Sequence, residues 1–143
     1  ERLVRLGQAV PESVELGYHL CYGSFGGRHF VEPKDAAAMV ELINGLTSGI
    51  QRSIAFIHMP VPIERDDDAF YRPLQLLKIQ PSTEIYLGLI HDTDGVAGTM
   101  KRMATAHRYI GDFGIATECG FGRRPPETVP ALIALHANLL QNA

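Results

Sequence analysis

The sequence has few cysteines, no long hydrophobic run and no large excess of charge of either sign. Two cysteines cannot build a disulfide framework, so we expect a reducing, cytoplasmic setting. No apolar run approaches the roughly 20 residues of a membrane span, and no signal peptide is evident. A net charge of −3 offers no attraction to nucleic acid or to an anionic membrane surface, and neither is a predicted partner.

The composition is typical of a globular domain. Of the 143 residues, 45% are hydrophobic and 20% are charged, and a chain of this length can bury a sizeable core. We therefore predict a single domain over residues 1–143. The first residue is Glu1 rather than methionine, and the native start is expected to lie upstream.

Apolar strand-like segments alternate with helix-like segments along the chain. After a helical tail at residues 1–9, the order strand–helix occurs four times. Asp35 and the acidic run Asp66–Asp68 are predicted to cap the helices that follow them. Apolar strands that alternate with helices predict a parallel sheet covered by helices. The predicted strands are Val14–Tyr22, Ser53–Met59, Glu84–His91 and Phe113–Cys119, and the predicted helices are Ala36–Leu46, Ala69–Leu77, Val96–Ile110 and Glu127–Leu140.

Four such β/α units are compatible with two α/β architectures. One is an open, doubly wound sheet. The other is the C-terminal half of a TIM (β/α)8 barrel, since a complete barrel typically takes about 250 residues. A half-barrel exposes two apolar sheet edges, so it is expected to need a missing N-terminal half or a second copy as its partner.

Histidine or cysteine lies near the C-terminal end of every predicted strand. His19 and Cys21 end the first strand, and their i, i+2 spacing places both side chains on one face. His58, His91 and Cys119 end the other three strands. Because α/β folds place their active sites at this edge of the sheet, these five residues form the predicted site.

Imidazole and thiol groups gathered from distant strands indicate a zinc site. Structural zinc sites usually take ligands from close CxxC-type pairs, whereas Cys21 and Cys119 lie far apart in the sequence. Scattered ligands that leave one coordination position free are typical of catalytic zinc. Three alternatives stay open: both thiols pack in the core, they form a disulfide in air, or Cys21 and His19 form a metal-free nucleophile pair.

Three segments carry a family resemblance. They are residues 19–22 (His-Leu-Cys-Tyr), 89–92 (Leu-Ile-His-Asp) and 118–123 (Glu-Cys-Gly-Phe-Gly-Arg). Together they resemble the C-terminal catalytic barrel of cobalamin-independent methionine synthase and its shorter relatives, which belong with the uroporphyrinogen decarboxylase-like barrels. The order and approximate separations of the segments agree with that family over nearly the whole chain.

The resemblance implies that His19, Cys21 and Cys119 hold Zn²⁺ as the cofactor. The family's fourth ligand is a glutamate, and His58 stands at the corresponding position here. As a fourth ligand, neutral His58 would give the zinc site a net charge of 0, where a glutamate gives −1. If His58 turns aside, that position is left to substrate or to Glu118.

The reaction implied by the resemblance is transfer of a methyl group from nitrogen or oxygen to a thiol. The partners are then a small-molecule thiol and a methyl donor. The resemblance implies that His91 acts near the methyl donor. We take it as the general acid that protonates the leaving atom, with Asp92 or Asp94 as its partner.

The loop after the last strand is predicted to hold an anion such as a carboxylate or a phosphate, through Gly120, Gly122 and Arg123. The alternative for the two arginines at 123 and 124 is that they are solvated loop residues. Three other functions remain open for the chain: a zinc-dependent thiol–epoxide transferase, a metal-free decarboxylase-like relative, and a non-catalytic barrel fragment.

Overall fold

A four-stranded parallel sheet with helices between its strands forms the framework of the protein. The computed structural model describes residues 1–25 and 28–142, and only the backbone of Ser24, Phe25, Arg28, Arg123 and Asn142. Among the described helices, none has both the length and the hydrophobicity that crossing a membrane requires. In chain order the elements are α1 (Arg2–Ala9), β1 (Gly17–His19), β2 (Ser24–Phe25), β3 (Arg28–His29), α2 (Ala37–Gly49), β4 (Phe56–Pro60), α3 (Asp68–Tyr71), β5 (Glu84–Ile90), α4 (Gly95–Ala106), β6 (Gly114–Thr117) and α5 (Val129–Asn142).

The parallel strands lie side by side in the order β1-β4-β5-β6, which follows the chain. The described sheet therefore lacks the reversal of strand order that defines a doubly wound sheet. In proteins generally, crossovers between neighbouring parallel strands are right-handed, and in a sheet whose strand order follows the chain this brings the helices to one face. The mixed α/β class and the parallel sheet predicted from the alternating pattern are confirmed.

Alternate residues of the central strands build the core against the helices. Leu87 and Leu89 of β5 and Ile57 of β4 are completely buried, as is Ile43 of α2. The same cluster includes apolar side chains from α2, α3 and the segment after α3, so burial of this face holds the helices to the sheet. The main members of the cluster are Leu16, Leu20, Met39, Val40, Ile43, Leu46, Ile57, Met59, Phe70, Tyr71, Ile85, Leu87 and Leu89.

The other face of the sheet carries residues of the opposite parity. His19, His58, Tyr86 and Gly114 stand in register across the four strands. Phe56 remains 42% exposed on this face. Together with His58, Tyr86 and Ala116 it lines an open depression of about 310 Å³.

Several predicted boundaries differ from the structure. The four strands are shorter than predicted, and His91 and Cys119 lie just beyond β5 and β6. The helix predicted at 69–77 is wrong: one α-helical turn, α3, is followed by a 3-10 helix over Arg72–Leu76. Pro73 explains the break, because proline lacks the N–H that an α-helix would use.

Asp35 and Asp67, from the two predicted caps, each accept a hydrogen bond at the start of a helix. Asp67 caps α3 by accepting a hydrogen bond from the Phe70 N–H, as the acidic run predicts. Asp35 accepts from the N–H of Ala37, the first residue of α2. The segment after Gly23 contains the short antiparallel pair β2–β3. Its residues at 26 and 27 lie outside the described chain.

Candidate metal centre

The ends of β1 and β6 bring together one imidazole and two thiols. The ligand atoms of His19, Cys21 and Cys119 all lie within 4.8 Å of one another, an arrangement that could hold a metal ion. Cys119 Sγ is 4.0 Å from His19 Nε2. The structure thus places three of the predicted zinc ligands in one cluster.

Local backbone contacts explain the positions of the two residues from the β1 end. The N–H of Leu20 donates to the carbonyl of His58, so pairing with β4 continues past the last residue of β1. His19 and Cys21 therefore project to one face. Gly23 then adopts a φ of 77°, which favours glycine, and its N–H lies 3.2 Å from the Cys21 sulfur that accepts it.

Cys119 is brought to the cluster by a turn after β6. The hydroxyl of Thr117 donates to the carbonyl of Cys119 over 2.8 Å, which closes this turn. Cys119 is half-buried, whereas His19 and Cys21 are exposed. The cluster is therefore open to solvent on one side, and a small molecule can reach it.

The donor types are ones that zinc and other borderline or soft metal ions take. Zinc binds thiolate sulfur and imidazole nitrogen at about 2.0–2.3 Å, so neighbouring donors around a tetrahedral ion lie roughly 3.5 Å apart. The 4.0 Å between Cys119 Sγ and His19 Nε2 is longer than that separation, and the three ligand atoms lie within 4.8 Å of one another, so a tetrahedral ion would draw them closer together. Two soft sulfur donors and one imidazole also favour zinc over the hard cations magnesium and calcium.

The structure does not bring His58 into the three-residue cluster. Its Nε2 lies 3.0 Å from the carbonyl oxygen of Thr117, and its Nδ1 lies 2.6 Å from Nδ1 of His19. The two imidazole rings are stacked, with their centroids 4.8 Å apart. Burial and then the neighbouring His19 lower the pKa of His58 to about 4, although the Thr117 carbonyl opposes this shift.

Glu118, the alternative for the fourth position, faces a different partner. Its carboxylate lies 2.9 Å from Nε2 of His29, whose Nδ1 is 3.0 Å from Glu32. Burial raises the pKa of Glu118, and His29 partly offsets this. Burial alone would lower the pKa of His29, but Glu32 and Glu118 together raise it. The sequence pattern does not predict this pairing of His29, because Glu32 and Glu118 come from separate parts of the chain.

His91 is buried just beyond β5, and its Nε2 lies 2.8 Å from the carbonyl oxygen of Val61. Burial lowers its pKa. The predicted carboxylate partners bind arginines instead: Asp92 lies 2.7 Å from Arg124, and Asp94 binds the guanidinium of the next helix. His91 is not brought into the three-residue cluster.

The guanidinium that binds Asp94 belongs to Arg102 of α4, a residue that is only 1% exposed. Asp94 accepts two hydrogen bonds from it, at 2.6 and 2.9 Å. Arg102 also donates to the carbonyls of Leu89 and Ile63, so it ties β5 and the loop after β4 to α4. Arg102 lowers the pKa of Asp94, mainly through the hydrogen bonds that it donates to the Asp94 carboxylate.

The predicted anion-binding residues lie on the segment after Cys119. Gly120 precedes a 3-10 helix over Phe121–Arg123 that includes Gly122. The side chain of Arg123 lies outside the described part of the chain. Its neighbour Arg124 is paired with Asp92, and that pair lowers the pKa of Asp92.

Comparison with known proteins adds no relative to this picture. No protein-family model matches the chain, and neither the curated proteins nor the solved structures include a match to it. The parallel sheet and the cluster at its C-terminal edge are therefore the observations that bear on function.

Proposed function

We propose that this chain carries the zinc site of a thiol methyltransferase similar to cobalamin-independent methionine synthase. The observation that carries the proposal is the cluster of His19, Cys21 and Cys119 at the C-terminal edge of a parallel sheet. A metal-free decarboxylase-like protein would give the two thiols no role. A disulfide is not formed, since both cysteines are free.

His19, Cys21 and Cys119 would hold the zinc, and the exposure of the first two leaves room for a substrate sulfur. Bound zinc supplies a positive charge that lowers the pKa of a thiol, as it does for coordinating cysteines. The chain's own contribution is to hold one imidazole at the end of β1 and two thiols just beyond β1 and β6. The hydrogen bonds of Gly23 and Thr117 fix the turns that carry the thiols.

In the proposed reaction, a bond forms between the thiol sulfur and the methyl carbon while the methyl's bond to nitrogen or oxygen breaks. The thiol gives up a proton and the leaving atom gains one. His91 is proposed to accept a proton at Nδ1 and to pass it to the leaving atom, because Nε2 already holds the hydrogen that it donates to the Val61 carbonyl. Burial lowers the pKa of His91, so the resting ring is neutral at pH 7 and can accept a proton.

We also propose that the sheet is half of a (β/α)8 barrel. Sequential parallel strands with helices between them agree with this architecture. On the face opposite the core, Phe56 stays 42% exposed. In a complete barrel this face would be the packed interior, covered either by an N-terminal half or by a second copy of the chain.

The direct test is metal content, followed by turnover. The reduced chain is purified, and its zinc is measured by mass spectrometry. It is then incubated with zinc, homocysteine and a methyl-folate, and with simpler thiols, and formation of the thioether is followed. Bound zinc with thioether formation supports the proposal. Bound zinc without turnover would favour the non-catalytic fragment, and absence of zinc binding would overturn the metal site itself.

A further inference from the structure

His58 has two hydrogen-bond contacts that together fix where its hydrogen lies. Its Nε2 faces the carbonyl oxygen of Thr117 at 3.0 Å. A carbonyl only accepts, so Nε2 of His58 must carry the hydrogen and donate it. In the neutral ring, Nδ1 then has a lone pair and accepts.

The contact between the two histidines then determines which ring nitrogen of His19 carries the hydrogen. The two Nδ1 atoms are 2.6 Å apart, which leaves space for one hydrogen between them. Because Nδ1 of His58 accepts, Nδ1 of His19 must donate. Nε2 of His19 is then left with its lone pair, and this is the atom 4.0 Å from the Cys119 sulfur.

We propose that His58 is a positioning residue that fixes the tautomer of His19, so that His19 presents the lone pair of Nε2 to the metal cluster. This inference rests on the proposed zinc site. It makes His58 the hydrogen-bond partner of the ligand His19, and not itself a fourth zinc ligand. Metal-binding histidines commonly donate their other ring N–H to such a partner, which sets the tautomer and the ring orientation.

The hydrogen bond between His58 and Thr117 passes over β5, at a point where that strand has a glycine, Gly88, and therefore no side chain in the way. Thr117 belongs to β6 and His58 to β4, with β5 between them. Gly88 of β5 lies beneath this crossing, and a Cβ there would stand 3.0 Å from the Thr117 carbonyl oxygen and 2.7 Å from Cα of Glu118. The β5–β6 register also shifts between Leu87 and Ile90.

Thr117 also links the two ligands from different strands. Its carbonyl receives the hydrogen of His58, while its hydroxyl donates to the carbonyl of Cys119. A continuous series of hydrogen bonds therefore runs from the turn that holds Cys119 to the ring of His19. Preorganisation of this kind is expected to raise metal affinity without adding a ligand.

Two substitutions separate the proposed role from simple packing. His58→Phe keeps an aromatic ring beside His19 and removes the acceptor. His58→Asn places an amide oxygen near the position of Nδ1, so it keeps an acceptor for His19. Zinc affinity is measured by competition with a chelator at pH 7. We expect His58→Phe to weaken binding about 10- to 100-fold and His58→Asn to stay much closer to the wild type.

The tautomer itself is read from ¹H–¹⁵N spectra of the metal-free protein labelled at histidine. We expect wild-type His19 and the His58→Asn variant to carry hydrogen on Nδ1, and His58→Phe to lose this preference. Hydrogen on Nε2 of wild-type His19, or equal loss of affinity in both variants, would overturn the inference. If wild-type His19 shows the expected tautomer but no zinc binds, the proposed function fails and the assignment of the tautomer stands.

Discussion

Cys119 Sγ lies 4.0 Å from His19 Nε2, although 100 residues separate the two in the sequence. The contact joins the C-terminal ends of β1 and β6, the two outer strands of the described sheet. It exists because β6 is followed by a turn that Thr117 closes, which brings the thiol back across the edge. The metal cluster is thus a product of the whole sheet, and neither strand end could form it alone.

The first prediction concerns zinc stoichiometry. The reduced wild-type chain is expected to hold about one zinc, because three donors plus one substrate position complete a tetrahedral ion. Cys21→Ser and Cys119→Ser should each lose most of this metal. Mass spectrometry of the purified variants measures it. His136→Gln is the matched control, since its imidazole bonds to the Leu132 carbonyl in its own helix.

Retention of zinc in either serine variant would contradict a single site shared by the two strand ends. Loss in the His136→Gln control would show that zinc binding is non-specific. Serine is chosen because it preserves the size of the side chain and keeps a polar atom, while it removes the soft sulfur donor that zinc prefers.

Strand–helix alternation was enough to predict the parallel sheet, because buried parallel strands are apolar throughout and their helices must cover them. The same alternation placed His19, Cys21 and Cys119 near one edge. It could not predict that His58 would lie against His19, although the two residues are partners in the parallel register. That contact depends on side-chain rotation and on the carbonyl of Thr117 two strands away.

Other differences have equally local causes. The predicted helix at 69–77 overlooked Pro73, which limits the α-helix to one turn. The pairing of His29 with Glu118 joins residues that are far apart in the chain, so no periodic pattern reveals it. Asp92 and Asp94 are close to His91 in the sequence, which is why they were predicted as its partners. In the structure each carboxylate pairs with an arginine instead, Asp92 with Arg124 and Asp94 with Arg102.

The second prediction concerns the buried Arg102. Asp94→Asn removes the carboxylate that accepts two hydrogen bonds from this guanidinium. An uncompensated buried charge is costly, and we expect a loss of about 3 kcal/mol in the free energy of unfolding. Urea denaturation measures it. Asp66→Asn is the control, because Asp66 pairs with Lys101 at the exposed surface and should cost less than about 1 kcal/mol. Equal losses in the two variants would contradict the assigned role.

The third prediction gives the pH dependence of the same pair. Arg102 lowers the pKa of Asp94 in the folded protein below the unfolded value of about 3.9. The stabilisation is therefore fully present above the unfolded pKa and is lost as the pH falls through the lower folded pKa. Between those two values the wild type should lose stability more steeply than Asp94→Asn. Parallel curves from pH 6 to pH 2 would show that Asp94 does not contribute.

The fourth prediction tests the uncovered face of the sheet. If a second copy covers this face, the wild-type chain should self-associate with increasing concentration, as light scattering after gel filtration measures. Phe56→Lys should shift the protein to the monomer, because it places a charge on the face. Leu76→Lys changes a residue that is 66% exposed but lies on the 3-10 helix, and it should leave association unchanged. A wild type that stays monomeric throughout would leave the N-terminal half as the proposed cover.

The last prediction concerns the crossing of β5 by the end of β6. Gly88→Ala would introduce a Cβ 2.7 Å from Cα of Glu118, a backbone atom that cannot turn aside as a side chain can. The end of β6 must move, and with it Cys119. We expect a loss of about 1–3 kcal/mol in stability from overpacking, together with weaker zinc binding than in the wild type.

Gly45→Ala is the matched control for this substitution. Gly45 lies inside α2, where an added Cβ would meet nothing within 4 Å. Alanine there should raise stability by about 0.5–1 kcal/mol, because it reduces the freedom of the unfolded chain. Denaturation and chelator competition are measured on both variants. If Gly88→Ala binds zinc as tightly as the wild type, the packing of β6 over Gly88 does not position Cys119. Weaker binding in Gly88→Ala alone would support the packing of β6 over Gly88 as what positions Cys119.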